Sequence, residues 1–162
     1  MTEQENRNKK SAAESYTEQL QLVLNSHING YGRLFGGMLL QWIDVMFGVV
    51  ARRHCGCEVT TAAIDHMEFL SPAYVNDLVK LQGRVTWVGR SSLEVRVDTY
   101  AQALGGEWRP VNVAYALMVA LDANEKPTPA PGLLLESEEQ EREFAAGAAR
   151  QEARKAARMK KQ

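Results

Sequence analysis

The stretch HINGYGRLFGGMLLQWID, residues 27–44, begins polar and glycine-rich and ends almost wholly apolar. The apolar pattern continues beyond it, so Met38 to His54 is predicted to be a helix. That helix is apolar nearly all round, the pattern of a buried helix and not of a surface one. Gln41 and Asp44 are its polar interior residues, three apart and therefore on one face. A lone carboxylate in such a helix is either bonded to an amide or a base and merely satisfied, or partly desolvated for use in catalysis.

Downstream, the chain reads mostly as strand. Val59 to Phe69 is a predicted strand, ended by Ser71 and Pro72. Val79, Leu81, Val85 and Trp87 alternate with Lys80, Gln82, Arg84 and Thr86, a period of two. Gly89 to Ser91 makes a turn, and Leu93, Val95 and Val97 alternate with Glu94, Arg96 and Asp98 in the next strand. Gly105-Gly106 reads as a hairpin turn. Val111 to Leu121 is apolar or small throughout, as in a strand covered on both faces. Pro127, Pro129 and Pro131 stop the sheet. Upstream, Ser15 to Leu24 is read as a first strand and Asn25 to Arg33 as a loop. One strand, a long apolar helix and four successive strands give an α+β fold. The simplest packing is a curved antiparallel sheet wrapped around a buried central helix.

The whole chain has 162 residues, 45% hydrophobic, with a formal net charge of −1. That composition fits one domain with a sizeable core and carries no electrostatic footprint for nucleic acid. No apolar run approaches the roughly 20 residues of a membrane span, and MTEQENRNKK precedes no apolar signal core. Cys55 and Cys57 have no further cysteines to pair with, so a cytoplasmic location is expected. With His54 they form no complete set of metal ligands, and no metal is expected. Residues 1–14 are polar and expected to be disordered. From Glu136 a run of glutamates gives way to Arg150, Arg154, Lys155, Arg158, Lys160 and Lys161. The expected state for 133–162 is a solvated charged helix or tail; the competing reading is that its basic end attracts an anionic substrate.

Chemistry gathers in the opening stretch. Gly36 and Gly37 stand at the helix start, where free N–H groups point along the positive end of the dipole. Such amides suit a developing oxyanion, as in acyl transfer, and the amide of Asn29 suits a water or a carbonyl. Gly37 and Asp44 are seven residues apart, about 10 Å along a helix. Reacting atoms must approach to about 3 Å, so one helix cannot bring both to the same carbonyl. If they act together they come from two copies, related by a two-fold axis with antiparallel central helices.

Asn29, Gly32, Leu34-Phe35-Gly36-Gly37 and Asp44, in that order and spacing, resemble the signature of the hotdog-fold acyl-CoA thioesterases, nearest the cytosolic acyl-CoA hydrolase branch. Val59-Thr60-Thr61, Phe69-Leu70-Ser71-Pro72, Val88-Gly89-Arg90-Ser91-Ser92 and Lys126-Pro127 extend the resemblance over residues 15–132. It implies a single hotdog domain, a homodimer with active sites at its interface, and commonly a trimer of dimers. Asn29 and Asp44 would be the catalytic pair, with Asp44 as general base or nucleophile. The amide of Gly37, helped by Gly36, would be the oxyanion hole. Gly89, Arg90, Ser91 and Ser92 would contact coenzyme A. Thr60 and Thr61 either reach the site from the next strand, with Thr61 against the substrate, or are simply good strand residues. The substrate would be an acyl-CoA, with no metal or organic cofactor.

Asn76 stands where the family often has glycine, and asparagine tolerates the same left-handed turn. Trp42 is either core or a narrowing of the acyl channel. Arg52, Arg53 and His54 end the helix where cations favour the dipole. The competing function is a non-catalytic acyl-CoA sensor on the same scaffold, which would need neither Asn29 nor Asp44. A hotdog dehydratase is disfavoured because His66 lacks that class's motif.

Overall fold

The computed structural model describes residues 8–162. In chain order the elements are β1 (Lys9–Ser11), α1 (Ala12–Ser15), β2 (Thr17–Leu22), α2 (Gly36–Cys55), β3 (Glu58–Phe69), β4 (Leu78–Val88), β5 (Ser92–Gln102), β6 (Arg109–Leu121), β7 (Gly132–Leu134) and α3 (Glu138–Met159). Five strands form an antiparallel sheet in the order β2-β4-β5-β6-β3, and α2 packs on one side of it. This is the curved sheet and long helix expected from the alternation.

Helix α2 buries Leu39, Trp42, Ile43, Met46, Phe47, Val50, Ala51 and His54, one face at three- and four-residue spacing. The expectation of burial all round needs correction. Leu40, Val45 and Val49 are 38%, 54% and 38% exposed, and Gln41 and Asp44 share their open side. One sheet covers one side of a helix, so the second apolar face is uncovered in a single chain. The helix ends at Gly56, whose φ of 68° is left-handed and whose N–H reaches the carbonyl of Arg52 at 2.8 Å.

His54 also departs from expectation. It is fully buried, with Nε2 2.9 Å from the carbonyl of Pro131, and burial pushes its pKa down. It therefore stays neutral at the helix end, and Arg52 and Arg53 alone complement the dipole. Arg53 also donates to the carbonyl of Tyr16 and to Thr17 Oγ1, both at 2.8 Å. Burial likewise lifts the Cys55 thiol to about 12, far from a reactive thiolate.

The expected disordered arm is ordered where it is described; residues 1–7 lie outside the described residues. β1 pairs in parallel with β7. Ser11 caps α1 from its side chain while the Glu14 carboxylate accepts the Ser11 N–H at 2.7 Å, a capping box. β5 continues past Asp98 to Gln102, paired on both sides by β4 and β6, and Asp98 is paired with Arg84 at 3.0 Å and Arg96 at 2.8 Å. Asn76 adopts a φ of 70°, the left-handed turn its position calls for.

The charged C-terminal segment is neither solvated all round nor a tail. α3 lies across the outer face of the sheet. A Cβ on Gly147 would sit 2.7 Å from Trp87 Cβ, so glycine permits the close approach. Beneath it the fully buried Glu94 accepts from Arg150 Nε at 2.9 Å, Arg154 Nη2 at 2.7 Å and Thr86 Oγ1 at 2.7 Å. Arg154 also pairs with Asp65 on β3, and Glu143 with Arg84 on β4. Burial pushes the Glu94 carboxyl up, but the bonds from Arg150, Thr86 and Arg154 outweigh it and hold the group below the ordinary glutamate range.

Two outcomes follow from this cluster. Glu94→Ala leaves two cations packed without their shared partner and should cost about 3–5 kcal/mol in denaturant unfolding. A depressed folded-state pKa contributes stability above the unfolded value and loses it as pH falls through the folded one. The melting temperature should therefore drop on acidification below the ordinary glutamate pKa, and drop less steeply in Glu94→Gln.

Candidate active site

The loop before α2 is shaped by Asn29. Its Oδ1 accepts the N–H groups of Tyr31 at 2.9 Å and Arg33 at 3.3 Å, and its backbone pairs with Arg33 at 2.8 Å. The side chain thus closes the turn on itself. Its Nδ2 has no partner among the described residues and remains available as a donor. The loop is anchored by Phe35 N–H to the carbonyl of His27 and by Leu34 N–H to that of Ala73, both 2.8 Å. His27 sits edge-on to Trp42 with centroids 5.1 Å apart. Trp42 is buried beneath the loop and belongs to the core.

Phe35 caps α2 without a side-chain bond, so no side chain competes for the first helical amides. Gly36 and Gly37 are exposed there. A Cβ on Gly37 would fall 2.5 Å from Phe35 Cε1, so the ring lies where any side chain would be. Glycine keeps this amide approachable alongside the aromatic ring.

Two turns further on, Asp44 Oδ1 accepts from Thr61 Oγ1 at 3.2 Å. Its other oxygen has no partner among the described residues. Thr61 is presented by β3, an edge strand with register breaks between Thr61 and Ala63 and between Ile64 and His66. Such bulges re-aim side chains beside functional sites. Asp44 and Thr61 are thus together, while Asn29, Gly36 and Gly37 gather at the other end of the same helix stretch. His66 lies nearer Glu68, 3.9 Å away, and Tyr115 than to any of these.

The turn Gly89–Ser92 is firmly held. Gly89 N–H bonds the Ser92 carbonyl, Ala120 N–H that of Ser91 and Ala130 N–H that of Arg90, each at 2.8 Å. Pairing places Ser92 opposite Val119 and Val119 opposite Thr60. The turn and Thr60 therefore share one row of the sheet, about 10 Å apart at the ladder spacing. Arg150, Arg154, Glu94 and Asp65 form a further polar cluster that sequence reasoning missed; the four-residue spacing of the two arginines was its visible signal.

Comparison with known proteins gives this arrangement its place. Residues 31–105 match the family described as the thioesterase superfamily. An acyl-CoA thioester hydrolase of Bacillus subtilis is 42% identical over 113 residues, which is 69% of this chain and 66% of that protein. A solved hexameric acyl-CoA thioesterase superimposes with a TM-score of 0.89 at 36% identity, covering 93% of this chain and 97% of that one. An acyl-CoA hydrolase from Staphylococcus aureus, solved with butyryl coenzyme A, coenzyme A and coenzyme A disulfide, gives 0.88 at 30% identity, with 94% of each chain covered. The chain spans 24% of a mouse acyl-coenzyme A thioesterase and 36% of a rat cytosolic hydrolase, two longer curated relatives. With its helix-wrapping sheet, and with Asn29, the bare helix amides and Asp44 in this order, the chain belongs to the hotdog-fold thioesterase superfamily.

Proposed function

We propose that this chain hydrolyses acyl-CoA thioesters to the carboxylic acid and coenzyme A, at sites shared between two copies. The observation that carries the proposal is the Asp44 carboxylate, oriented by Thr61 at 3.2 Å on the uncovered apolar side of α2. The helix that bears it also bears unclaimed amides at its start, about 10 Å away. A second copy packed antiparallel on Leu40, Val45 and Val49 covers that apolar face and brings its Gly37 toward this Asp44. The open edge of β3 extends the same contact.

In this arrangement the amide of Gly37, with Gly36 beside it, binds the thioester oxygen as negative charge develops. The free Nδ2 of Asn29 orients the carbonyl or the water. Asp44 either removes a proton from water or attacks the carbonyl itself. Either way the C–S bond breaks, the acyl group gains the hydroxyl of water, and the thiolate leaves with a proton. Gly89, Arg90, Ser91 and Ser92 serve the coenzyme A arm. This chemistry calls for no metal and no organic cofactor. Solved variants of the Staphylococcus aureus hydrolase replace an asparagine, an aspartate and a threonine with alanine. Those residues are spaced 15 and 17 apart, the spacing of Asn29, Asp44 and Thr61 here. The hexameric neighbour supports a trimer of such dimers. Among the described residues no helix is long and apolar enough to cross a membrane, and the reading places the enzyme in the cytoplasm.

Asp44→Ala should retain acyl-CoA binding by calorimetry and lose thiol release by about 10²–10⁴-fold; unchanged turnover would overturn the assignment. Mixing Asp44→Ala with Asn29→Ala chains tests sharing. Each variant alone is impaired, but half of randomly formed dimers are mixed and carry one intact site of two. About a quarter of wild-type activity should therefore return on mixing. Sites contained within one chain would recover nothing.

A further inference from the structure

α3 crosses the outer face of the sheet in one direction. Glu143 meets Arg84 on β4, Gly147 packs on Trp87, Arg150 meets Glu94 on β5 and stands over the Tyr115 ring on β6, and Arg154 meets Asp65 on β3. Its last turn therefore overhangs the edge strand. Beneath that turn lies a cavity of about 680 Å³, the size of a small-molecule site. Its apolar lining is Ala62, Ala63 and Leu117 from the sheet, a floor under α3, and Ala153 and Ala157 from the helix. Arg150, Arg154, Arg158 and Lys161 also line it, with His66 and a single carboxylate, Asp65.

The four cations are not equivalent. Arg150 and Arg154 are engaged by Glu94 and Asp65. Arg158 and Lys161 are exposed, and among the described residues neither has an ion-pair partner. They are cations over an apolar floor with no counter-charge of their own.

The cavity also stands in a specific relation to the carboxylate. Thr61 holds Asp44 on the helix side of β3, and Ala62, the next residue, lines the cavity on the outer side. The register puts Leu117 opposite Ala63 and Glu94, two residues along β6 from the row of Ser92. That is about 7 Å along the strand. The cavity thus lies close to the Gly89–Ser92 turn.

We propose that this cavity receives the nucleotide end of the acyl-CoA substrate. The purine lies on the alanine-rich floor, and Arg158 and Lys161 pair with the phosphates. The inference rests on acyl-CoA being the substrate and assigns α3 a binding role within that reaction.

The test compares acyl-CoA with the acyl-pantetheine of the same acyl chain, which lacks the nucleotide, for wild type and for the Arg158→Glu, Lys161→Glu double variant. Both positions are exposed on the final turn, so the variant should fold. The expected result is a fall of about tenfold or more in kcat/KM for acyl-CoA, carried by KM, as for loss of charge-assisted contacts. Acyl-pantetheine turnover should match wild type. Inorganic diphosphate should compete with acyl-CoA in the wild type and much less in the variant. Equal losses on both substrates, with a changed oligomeric mass, would mean that the turn packs against another copy and would overturn the proposal. So would identical kinetics on acyl-CoA, or diphosphate binding that leaves the KM for acyl-CoA untouched, the mark of a separate anion site. No thiol release from either substrate by the wild type would overturn the hydrolase reading beneath it.

Discussion

The constraint on which the structure depends is that α2 is apolar on two sides and its own sheet covers only one. The covered side supplies the core, from Leu39 to His54. The other side carries Leu40, Val45 and Val49, with Asp44 among them. A carboxylate on an uncovered apolar face is inexpensive in a lone chain, where water solvates it. In the proposed dimer it becomes a partly desolvated, oriented group, because the second copy covers that face. In that proposal association and catalysis draw on the same surface: the contact that removes apolar area from water also changes the environment of Asp44.

Orientation comes from the sheet. β3 is an edge strand, so its backbone tolerates the two register breaks that follow Thr61. Single register breaks also occur between β4 and β5 and between β5 and β6, but the pair beside Thr61 lies on the edge strand. The edge position thus allows Thr61 to turn toward Asp44 and leaves Ala62 and Ala63 on the outer face. In the proposed dimer the same edge meets the second copy. Site geometry and assembly again meet on one element.

What was legible in the sequence was whatever depends on neighbours in the chain. Alternation from Val79 to Trp87 located β4, and Asn76 announced its left-handed turn. The polar, glycine-rich run before Met38 located the loop and the helix start. The cap of α1 was equally local: Ser11 and Glu14 stand three apart, yet the polar composition around them read as disorder. His54 was misread because its burial depends on Pro131, 77 residues away. The docking of α3 was invisible for the same reason. Glu94 and Arg150 are 56 residues apart, and nothing near either one marks the other. The Asp44–Thr61 contact sits between these extremes, since the residues were separately visible and their meeting required the fold.

The charge order of α3 explains why the helix lies in one direction. Its first half is acidic and its second half basic, so Glu143 falls on Arg84 while Arg150 and Arg154 fall on Glu94 and Asp65. Reversed end for end, the helix would set arginines against Arg84 and Arg96 and glutamates against Glu94 and Asp65. Like charges at contact distance in a half-buried setting are strongly unfavourable. Docking uses Arg150 and Arg154 and leaves Arg158 and Lys161 beyond the last carboxylate of the sheet. A helix needing only to cover the outer face has no use for cations past the edge strand. Their position follows from the direction that the paired charges enforce, and it sets positive charge along the cavity between α3 and β3.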